Sequence, residues 1–130
     1  MLVIDASVLT PVVLDDGETG RRARARVADQ VLAAPELVDL EVASVVRRQV
    51  LRGAVPPQRA RRALLYLTDL PLARYGHRDL VGRGWELRDA VSTYDVAYVA
   101  LAEVLSATLL TADARLARAP GTRCPIEVFR

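Results

Sequence analysis

The chain has no lysine, one cysteine and one histidine among its 130 residues. Without lysine it can carry neither a P-loop nor a Schiff-base nucleophile. The single cysteine, Cys124, excludes an internal disulfide and a cysteine-rich metal site, and it fits a reducing compartment such as the cytoplasm. His77 has no second histidine to share acid–base chemistry with, so we interpret it as a surface residue.

Long apolar runs are also missing, and aromatic residues make up only 5% of the chain. No run approaches the roughly 20 apolar residues of a membrane-spanning helix. The first residues lack the basic segment that opens a signal peptide. Because 52% of the residues are nevertheless hydrophobic, the composition excludes a disordered chain. We therefore expect a single domain over residues 1–130 and a cytoplasmic location.

Arginine is the source of all the positive side-chain charge. All 18 basic residues are arginine, and with 16 acidic residues the net charge is +2. A mildly basic protein whose acids gather in one cleft would suit both a polyanion and a cation as ligands.

Short apolar runs alternate with helical patterns along the chain, which is typical of an α/β fold with a mostly parallel sheet. The predicted strands are Leu2–Ile4, Leu32–Ala34, Pro71–Tyr75, Thr108–Thr111 and Pro125–Phe129. The predicted helices are Ala6–Leu14, Glu18–Val31, Glu36–Leu51, Gln58–Leu70, Arg78–Arg88, Thr93–Leu105 and Ala114–Ala119. Pro35 is expected at the N-terminal position of the third helix.

Four acidic residues stand in apolar settings. Asp5 and Asp113 follow predicted strands, and ligands of open α/β sheets bind beyond the carboxyl ends of strands. Glu41 and Asp95 interrupt helix faces whose other residues are apolar or small. A buried carboxylate needs a partner, and the chain has no lysine to provide one. Mg²⁺ or Mn²⁺ would be suitable, because both prefer carboxylate oxygen and water.

Each acid also has a structural explanation. Asp5 and Asp113 could cap the helices that follow them, and Asp95 could belong to a capping box that starts at Ser92. Glu41 could be a solvated side chain if the helix has a different phase. The spacing of the four residues does not by itself show that they converge.

Four segments carry a family pattern in a fixed order. They are Val3–Leu9, Pro35–Val42, Tyr94–Glu103 and Leu109–Leu116. In these segments the sequence resembles the PIN-domain family, in particular the VapC-type ribonuclease toxins of bacterial toxin–antitoxin pairs. The stretch Tyr-Asp-Val-Ala-Tyr-Val-Ala-Leu-Ala-Glu, followed by Leu-Leu-Thr-Ala-Asp-Ala-Arg-Leu, is the most specific part. Residues 51–89 carry little of the pattern.

The resemblance implies a three-layer α/β/α sandwich with a central, mostly parallel five-stranded sheet. It implies that Mg²⁺, or Mn²⁺, is held by an acidic pocket, with small hydroxyl side chains at Ser7 and Thr111 that orient it. The catalytic and metal-binding residues carried over are Asp5, Glu41, Asp95 and Asp113.

The function implied is that of a toxin: a Mg²⁺-dependent endoribonuclease that hydrolyses RNA phosphodiester bonds, with transfer RNA among the family's substrates. A cognate VapB-type antitoxin would inhibit it, and the chain would form a homodimer or a heterotetramer with that antitoxin. Two alternatives stay open: a PIN-like module that binds RNA or protein without cutting, and a metal-dependent DNA nuclease. The arginines Arg47, Arg48 and Arg52 could contact RNA, contact an antitoxin or simply be solvated.

Overall fold

The computed structural model describes all 130 residues and centres on one five-stranded sheet. Every pair of neighbouring strands is parallel, and the strands lie in the order β3-β2-β1-β4-β5. They are β1 (Leu2–Ile4), β2 (Leu32–Pro35), β3 (Leu72–Tyr75), β4 (Thr108–Thr111) and β5 (Ile126–Val128). The strand order reverses between β1 and β4, and this is where open α/β sheets place their ligands.

Helices flank the sheet, so the predicted α/β/α sandwich is confirmed. The α-helices are α1 (Ala6–Leu14), α2 (Glu18–Val27), α3 (Leu37–Leu51), α4 (Pro57–Asp69), α5 (Val81–Glu86), α6 (Thr93–Val104) and α7 (Ala114–Ala117). Helix α1 packs against α2, α3 and α4, whereas α6 packs on β1, β2 and β4. No helix is both long enough and apolar enough to cross a bilayer.

The central strands β1 and β4 are buried through their apolar residues. Val3, Ile4, Leu109 and Leu110 are fully buried, and they belong to a single cluster of 33 buried hydrophobic residues. β1 is followed by Asp5 and β4 ends at the polar Thr111, so the core ends at the level where the acidic side chains begin.

Two predicted boundaries were wrong for the same reason, which is pairing within the sheet. Pro35 is the last residue of β2 and does not begin a helix. Proline has no N–H to donate within a sheet. Because β1 pairs only with Leu32 and Ala33 of β2, Pro35 removes no hydrogen bond between these two strands. The second helix ends at Val27 and not at Val31, because the carbonyl of Val31 already accepts the Leu2 N–H beside the sheet.

The remaining differences are local. The predicted helix Arg78–Arg88 divides into a 3₁₀ turn over Arg78–Leu80 and helix α5. Trp85 is 67% exposed and so is not part of the core of this chain. Cys124 is half-buried against the core, and His77 is exposed, as predicted.

A nearly buried ion pair joins α5 to α6. Arg83 Nε donates to Glu103 Oε2 at 2.7 Å, and its Nη2 donates to the carbonyl of Gly121 at 2.7 Å. The two side chains are 17% and 11% exposed. Burial acts to raise the pKa of Glu103, but the hydrogen bonds from Arg83 and from the Arg123 backbone outweigh it, so that this pKa is lowered.

Replacing Arg83 with methionine is expected to lower the free energy of unfolding by about 2 kcal/mol near neutral pH, because the carboxylate of Glu103 loses its partner. A carboxyl group whose pKa is lowered by folding stabilises the protein fully above its unfolded pKa and loses that effect as the pH falls through the folded value. The destabilisation, measured by urea unfolding, should therefore be smaller near pH 3 than near pH 7. The matched control is Arg118→Met, at an exposed arginine; an equal loss in both variants would contradict the prediction.

Candidate active site

A cavity of about 510 Å³ opens at the carboxyl ends of the central strands. All four acidic residues predicted from the sequence line it: Asp5, Glu41, Asp95 and Asp113. They come from four different elements, namely the ends of β1 and β4, helix α3 and the first turn of α6. The fold thus brings together residues that are more than 100 positions apart in the chain.

Asp5 is the most buried of the four, with 7% of its surface exposed. It caps α1 by accepting the Ser7 N–H at 3.0 Å, so the capping explanation is correct for this residue. Its carboxylate also accepts the hydroxyls of Ser7 and Thr111, each at 2.5 Å. Burial raises the pKa of Asp5 despite these hydrogen bonds. Capping and membership of the cavity are therefore compatible roles.

The two hydroxyls that hold Asp5 are themselves held by the backbone after β4. Ser7 Oγ accepts the Ala112 N–H at 2.8 Å, and Thr111 Oγ1 accepts the Asp113 N–H at 3.0 Å. Because each hydroxyl accepts from the backbone, its own proton is free to point to Asp5. This network joins the ends of β1 and β4 and fixes the orientation of Asp5.

Glu41 lies in the second turn of α3 and is half-buried. Its Oε1 accepts a hydrogen bond from the hydroxyl of Tyr98. Burial raises the pKa of Glu41, and the nearby carboxylates of Asp95 and Asp5 raise it further, against the opposing effect of the Tyr98 hydrogen bond. The predicted helix phase is correct, because the side chain faces the cavity and not bulk solvent.

Asp95 lies in the first turn of α6, where its backbone N–H donates to Ser92 Oγ at 3.3 Å. Only this half of the predicted capping box forms, since the Asp95 carboxylate accepts no hydrogen bond from the protein. Its side chain therefore has no structural partner and is available to a ligand.

Asp113 differs from the other three acids. It caps α7 by accepting the Arg115 N–H at 2.9 Å, and the Arg115 guanidinium donates to both of its oxygens at 3.1 and 2.9 Å. Hydrogen bonds from Arg115 lower the pKa of Asp113. Asp113 thus remains ionised within an ion pair at the edge of the cavity.

Three of the four carboxylates have no cationic partner, although the chain has 18 arginines. The seven ion pairs of the structure include Asp113 but none of Asp5, Glu41 and Asp95. The hydroxyl of Thr10, on the wall of the same cavity, is buried without a hydrogen-bond partner. Buried polar groups normally have partners, so this arrangement is typical of a site that receives a polar or cationic ligand.

No group of three or more Asp, Glu, His or Cys side chains lies close enough to ligate one ion together. The donor set nevertheless fits Mg²⁺, which takes hard oxygen ligands, keeps several of its waters and needs only one or two carboxylates directly. The unpaired carboxylates of Asp5, Glu41 and Asp95 supply only such oxygens. The residues present therefore fit a hydrated divalent ion, and the absence of sulfur and imidazole donors makes zinc a poor match.

Sequence reasoning missed the roles of Tyr98 and His77 in this region and left the role of Arg48 open. Tyr98 binds Glu41, and the available signal was a tyrosine one turn after Asp95 on an otherwise apolar helix. Arg48 lines the cavity and donates to Ser44 Oγ at 3.0 Å. His77, expected to be an uninvolved surface residue, accepts the Leu37 N–H at 3.1 Å and so caps α3, the helix that carries Glu41.

Comparison with known proteins agrees with this geometry. A family model described as the PIN domain matches residues 2–121. Ribonuclease VapC9 of Mycobacterium tuberculosis is 42% identical over 128 residues, which are 98% of each chain. Among solved structures, PAE2754 from Pyrobaculum aerophilum has a TM-score of 0.71 at 23% identity, covering 98% of this chain and 83% of that one. A toxin–antitoxin complex from Klebsiella pneumoniae has a TM-score of 0.63 at 20% identity, covering 98% and 100%.

The parallel sheet, its flanking helices and the match to the family model define the fold as a PIN domain. The resemblance of the four sequence segments is thereby confirmed. The chain belongs to the PIN-domain family and, within it, to the VapC ribonucleases.

Proposed function

We propose that this VapC ribonuclease is the toxin of a toxin–antitoxin pair, an endonuclease that requires Mg²⁺ or Mn²⁺ to hydrolyse RNA phosphodiester bonds. The observation that carries the metal requirement is the convergence of Asp5, Glu41 and Asp95 on one cavity without any cationic partner. Carboxylates in that arrangement repel one another, and a divalent ion removes the repulsion.

The four acids have separate roles in this proposal. Asp5 and Asp95 would hold the ion, directly or through water, because Asp5 is rigidly oriented and Asp95 has no protein partner. Glu41 Oε2 has no hydrogen bond, so it would help to hold the ion through one of the ion's waters and would accept a proton from the attacking water, a role favoured by the raised pKa of this group. Asp113 would complete the negative field at the edge of the cavity. A bound divalent ion supplies positive charge that offsets the charge developing on the phosphate.

Two arginines lie at or beside the acidic cavity. Arg48 lines the cavity, and Arg115 lies exposed beside Asp113. A phosphodiester that approaches a cluster of carboxylates is repelled unless cations lie next to the cluster, and the arginine fork suits phosphate oxygens. We propose that these side chains guide the scissile phosphate, and transfer RNA is the first substrate class to test.

The partners of the chain belong to the same proposal. We propose that the chain is a single PIN domain over residues 1–130, that it acts in the cytoplasm and that an antitoxin of the VapB type inhibits it; the similar toxin–antitoxin complex from Klebsiella pneumoniae supports an antitoxin as the partner. Val81, Trp85 and Tyr94 are 66 to 70% exposed and line one apolar groove of about 420 Å³. An exposed apolar face of this kind supports a homodimer, or a heterotetramer with the antitoxin. Sedimentation analysis of the chain alone and with the antitoxin distinguishes these states.

The test is cleavage of a mixed cellular RNA pool by antitoxin-free protein, with Mg²⁺, with Mn²⁺ and with excess EDTA. We expect discrete cuts that need the metal, disappear in EDTA and return when the metal is restored. Single-stranded and duplex DNA of matched length serve as control substrates. Cutting that persists in EDTA would contradict the metal requirement, and cutting confined to DNA would favour the DNA-nuclease alternative. Binding of RNA without cleavage would favour the binding module.

A further inference from the structure

The phenol of Tyr98 joins two helices across the floor of the acidic cavity. Tyr98 lies one turn after Asp95 on α6, and its hydroxyl donates to Glu41 Oε1 on α3. The ring is 1% exposed and belongs to the core, whereas the residue also lines the cavity. The hydroxyl is therefore the polar end of a core side chain that reaches the site.

Glu41 needs a contact that keeps its carboxylate directed into the cavity. Its carboxylate is half-buried close to two others, those of Asp5 and Asp95, and no arginine pairs with it. Like charges in a region of low dielectric repel strongly, and a glutamate has three side-chain torsions through which it can turn away. The Tyr98 hydroxyl is the only protein group that donates a hydrogen bond to Glu41.

We propose that Tyr98 is a positioning residue, which holds Glu41 at the metal site through Oε1 and leaves Oε2 as the free oxygen of that carboxylate. This inference rests on the proposed function, because it concerns the same metal site. In this proposal helix α6 has two roles: it carries Asp95, and through Tyr98 it fixes the orientation of Glu41, which lies on α3. Fixing Glu41 in advance reduces the entropy lost when an ion binds.

A substitution can remove the hydroxyl of Tyr98 and keep its ring, so the effects of the two can be measured separately. Tyr98→Phe keeps the buried ring and its packing and removes only the hydrogen bond to Glu41. The test therefore measures Mn²⁺ binding, by calorimetry and by the loss of the free-ion electron paramagnetic resonance signal, in four proteins: wild type, Tyr98→Phe, Glu41→Gln and the double variant. A hydrogen bond to a charged group is worth about 1.4 kcal/mol or more, which corresponds to a tenfold change in affinity.

We expect Tyr98→Phe to bind Mn²⁺ about tenfold more weakly than wild type, with a similar loss in kcat/KM for RNA. In the Glu41→Gln background the same substitution should change Mn²⁺ affinity less than twofold, because the carboxylate it positions is no longer there. A purely structural role of the hydroxyl would weaken binding equally in both backgrounds. The matched control is Tyr75→Phe, which removes a phenol hydroxyl that makes no hydrogen bond and lies outside the acidic cavity.

Two further outcomes overturn the inference, and they are distinguishable from each other. If wild type binds Mn²⁺ and Tyr98→Phe binds it with equal affinity, Tyr98 does not position Glu41 and the metal site itself stands. If folded, antitoxin-free wild type does not bind Mn²⁺ at all, the proposed metal-dependent function fails and the inference fails with it. Thermal unfolding of all five proteins shows whether each variant is folded.

Discussion

The Asp95→Asn variant is expected to lose RNA cleavage by roughly a thousandfold or more, equivalent to about 4 kcal/mol of transition-state stabilisation, with no loss of fold stability. The Asp95 carboxylate accepts no hydrogen bond and forms no ion pair. The helix dipole favours this charge in the first turn of α6, but the carboxylates of Asp5 and Glu41 repel it, so its removal should not destabilise the fold. The Asp95 N–H, which donates to Ser92 and caps α6, is retained in the variant. The substitution therefore acts on how the cavity holds and positions a cation for the reaction, and not on the fold.

The measurement is the rate of cleavage of one purified RNA under saturating Mg²⁺, together with urea unfolding of both proteins. The control is Asp89→Asn, which removes the same charge at an exposed position outside the cavity and should leave the rate unchanged. An Asp95→Asn protein that still cuts RNA in a metal-dependent manner would refute the assignment. A variant that is inactive because it is unfolded would be revealed by the urea curve.

Much of the fold follows from the sequence because short apolar runs and helical periodicity are local properties. Val3 and Ile4 before Asp5, and Leu109 and Leu110 before Thr111, marked the central strands correctly. The predicted boundaries are wrong where the local structure depends on pairing with a distant strand. Pro35 joins β2 because its neighbours pair with β3, and the residues before Leu32 leave the helix to meet β1. Neither pairing is encoded in the local pattern.

The candidate site divides in the same way. The positions of Asp5 and Asp113 after strands, and of Glu41 and Asp95 on helix faces, could be predicted from spacing, and the family resemblance selected them as a set. The burial and the hydrogen-bond partners of each acid could not be predicted. The Tyr98–Glu41 contact spans 57 positions and Thr111–Asp5 spans 106, so only the fold reveals them. Asp113, in contrast, is paired by Arg115 only two residues further along the chain, while no residue of the chain pairs with the Asp95 carboxylate.

Asp5→Asn is expected to abolish cleavage and, in metal-free protein near neutral pH, to raise the unfolding temperature by several degrees. Burial raises the pKa of Asp5 against its hydrogen bonds with Ser7 and Thr111, so at neutral pH its charge opposes folding. Asparagine removes that charge and can still accept from Ser7 and donate to Thr111. A group whose pKa is raised on folding is protonated in both states at low pH. The advantage of the variant should therefore disappear as the pH falls below the ordinary aspartate pKa.

Added metal should reverse the order of stability. An ion that binds only the folded protein stabilises it by about 2.7 kcal/mol at one hundred times its dissociation constant, which raises the unfolding temperature of a domain of this size by about 10 °C. Wild type should show this rise with Mn²⁺, and Asp5→Asn should show little of it. Thermal scans with EDTA and with Mn²⁺, on wild type, Asp5→Asn and Asp89→Asn, measure both effects at once. If metal-free Asp5→Asn were less stable than wild type, the buried carboxylate would stabilise the fold by itself. The prediction that its charge lowers the stability of the metal-free protein would then be wrong.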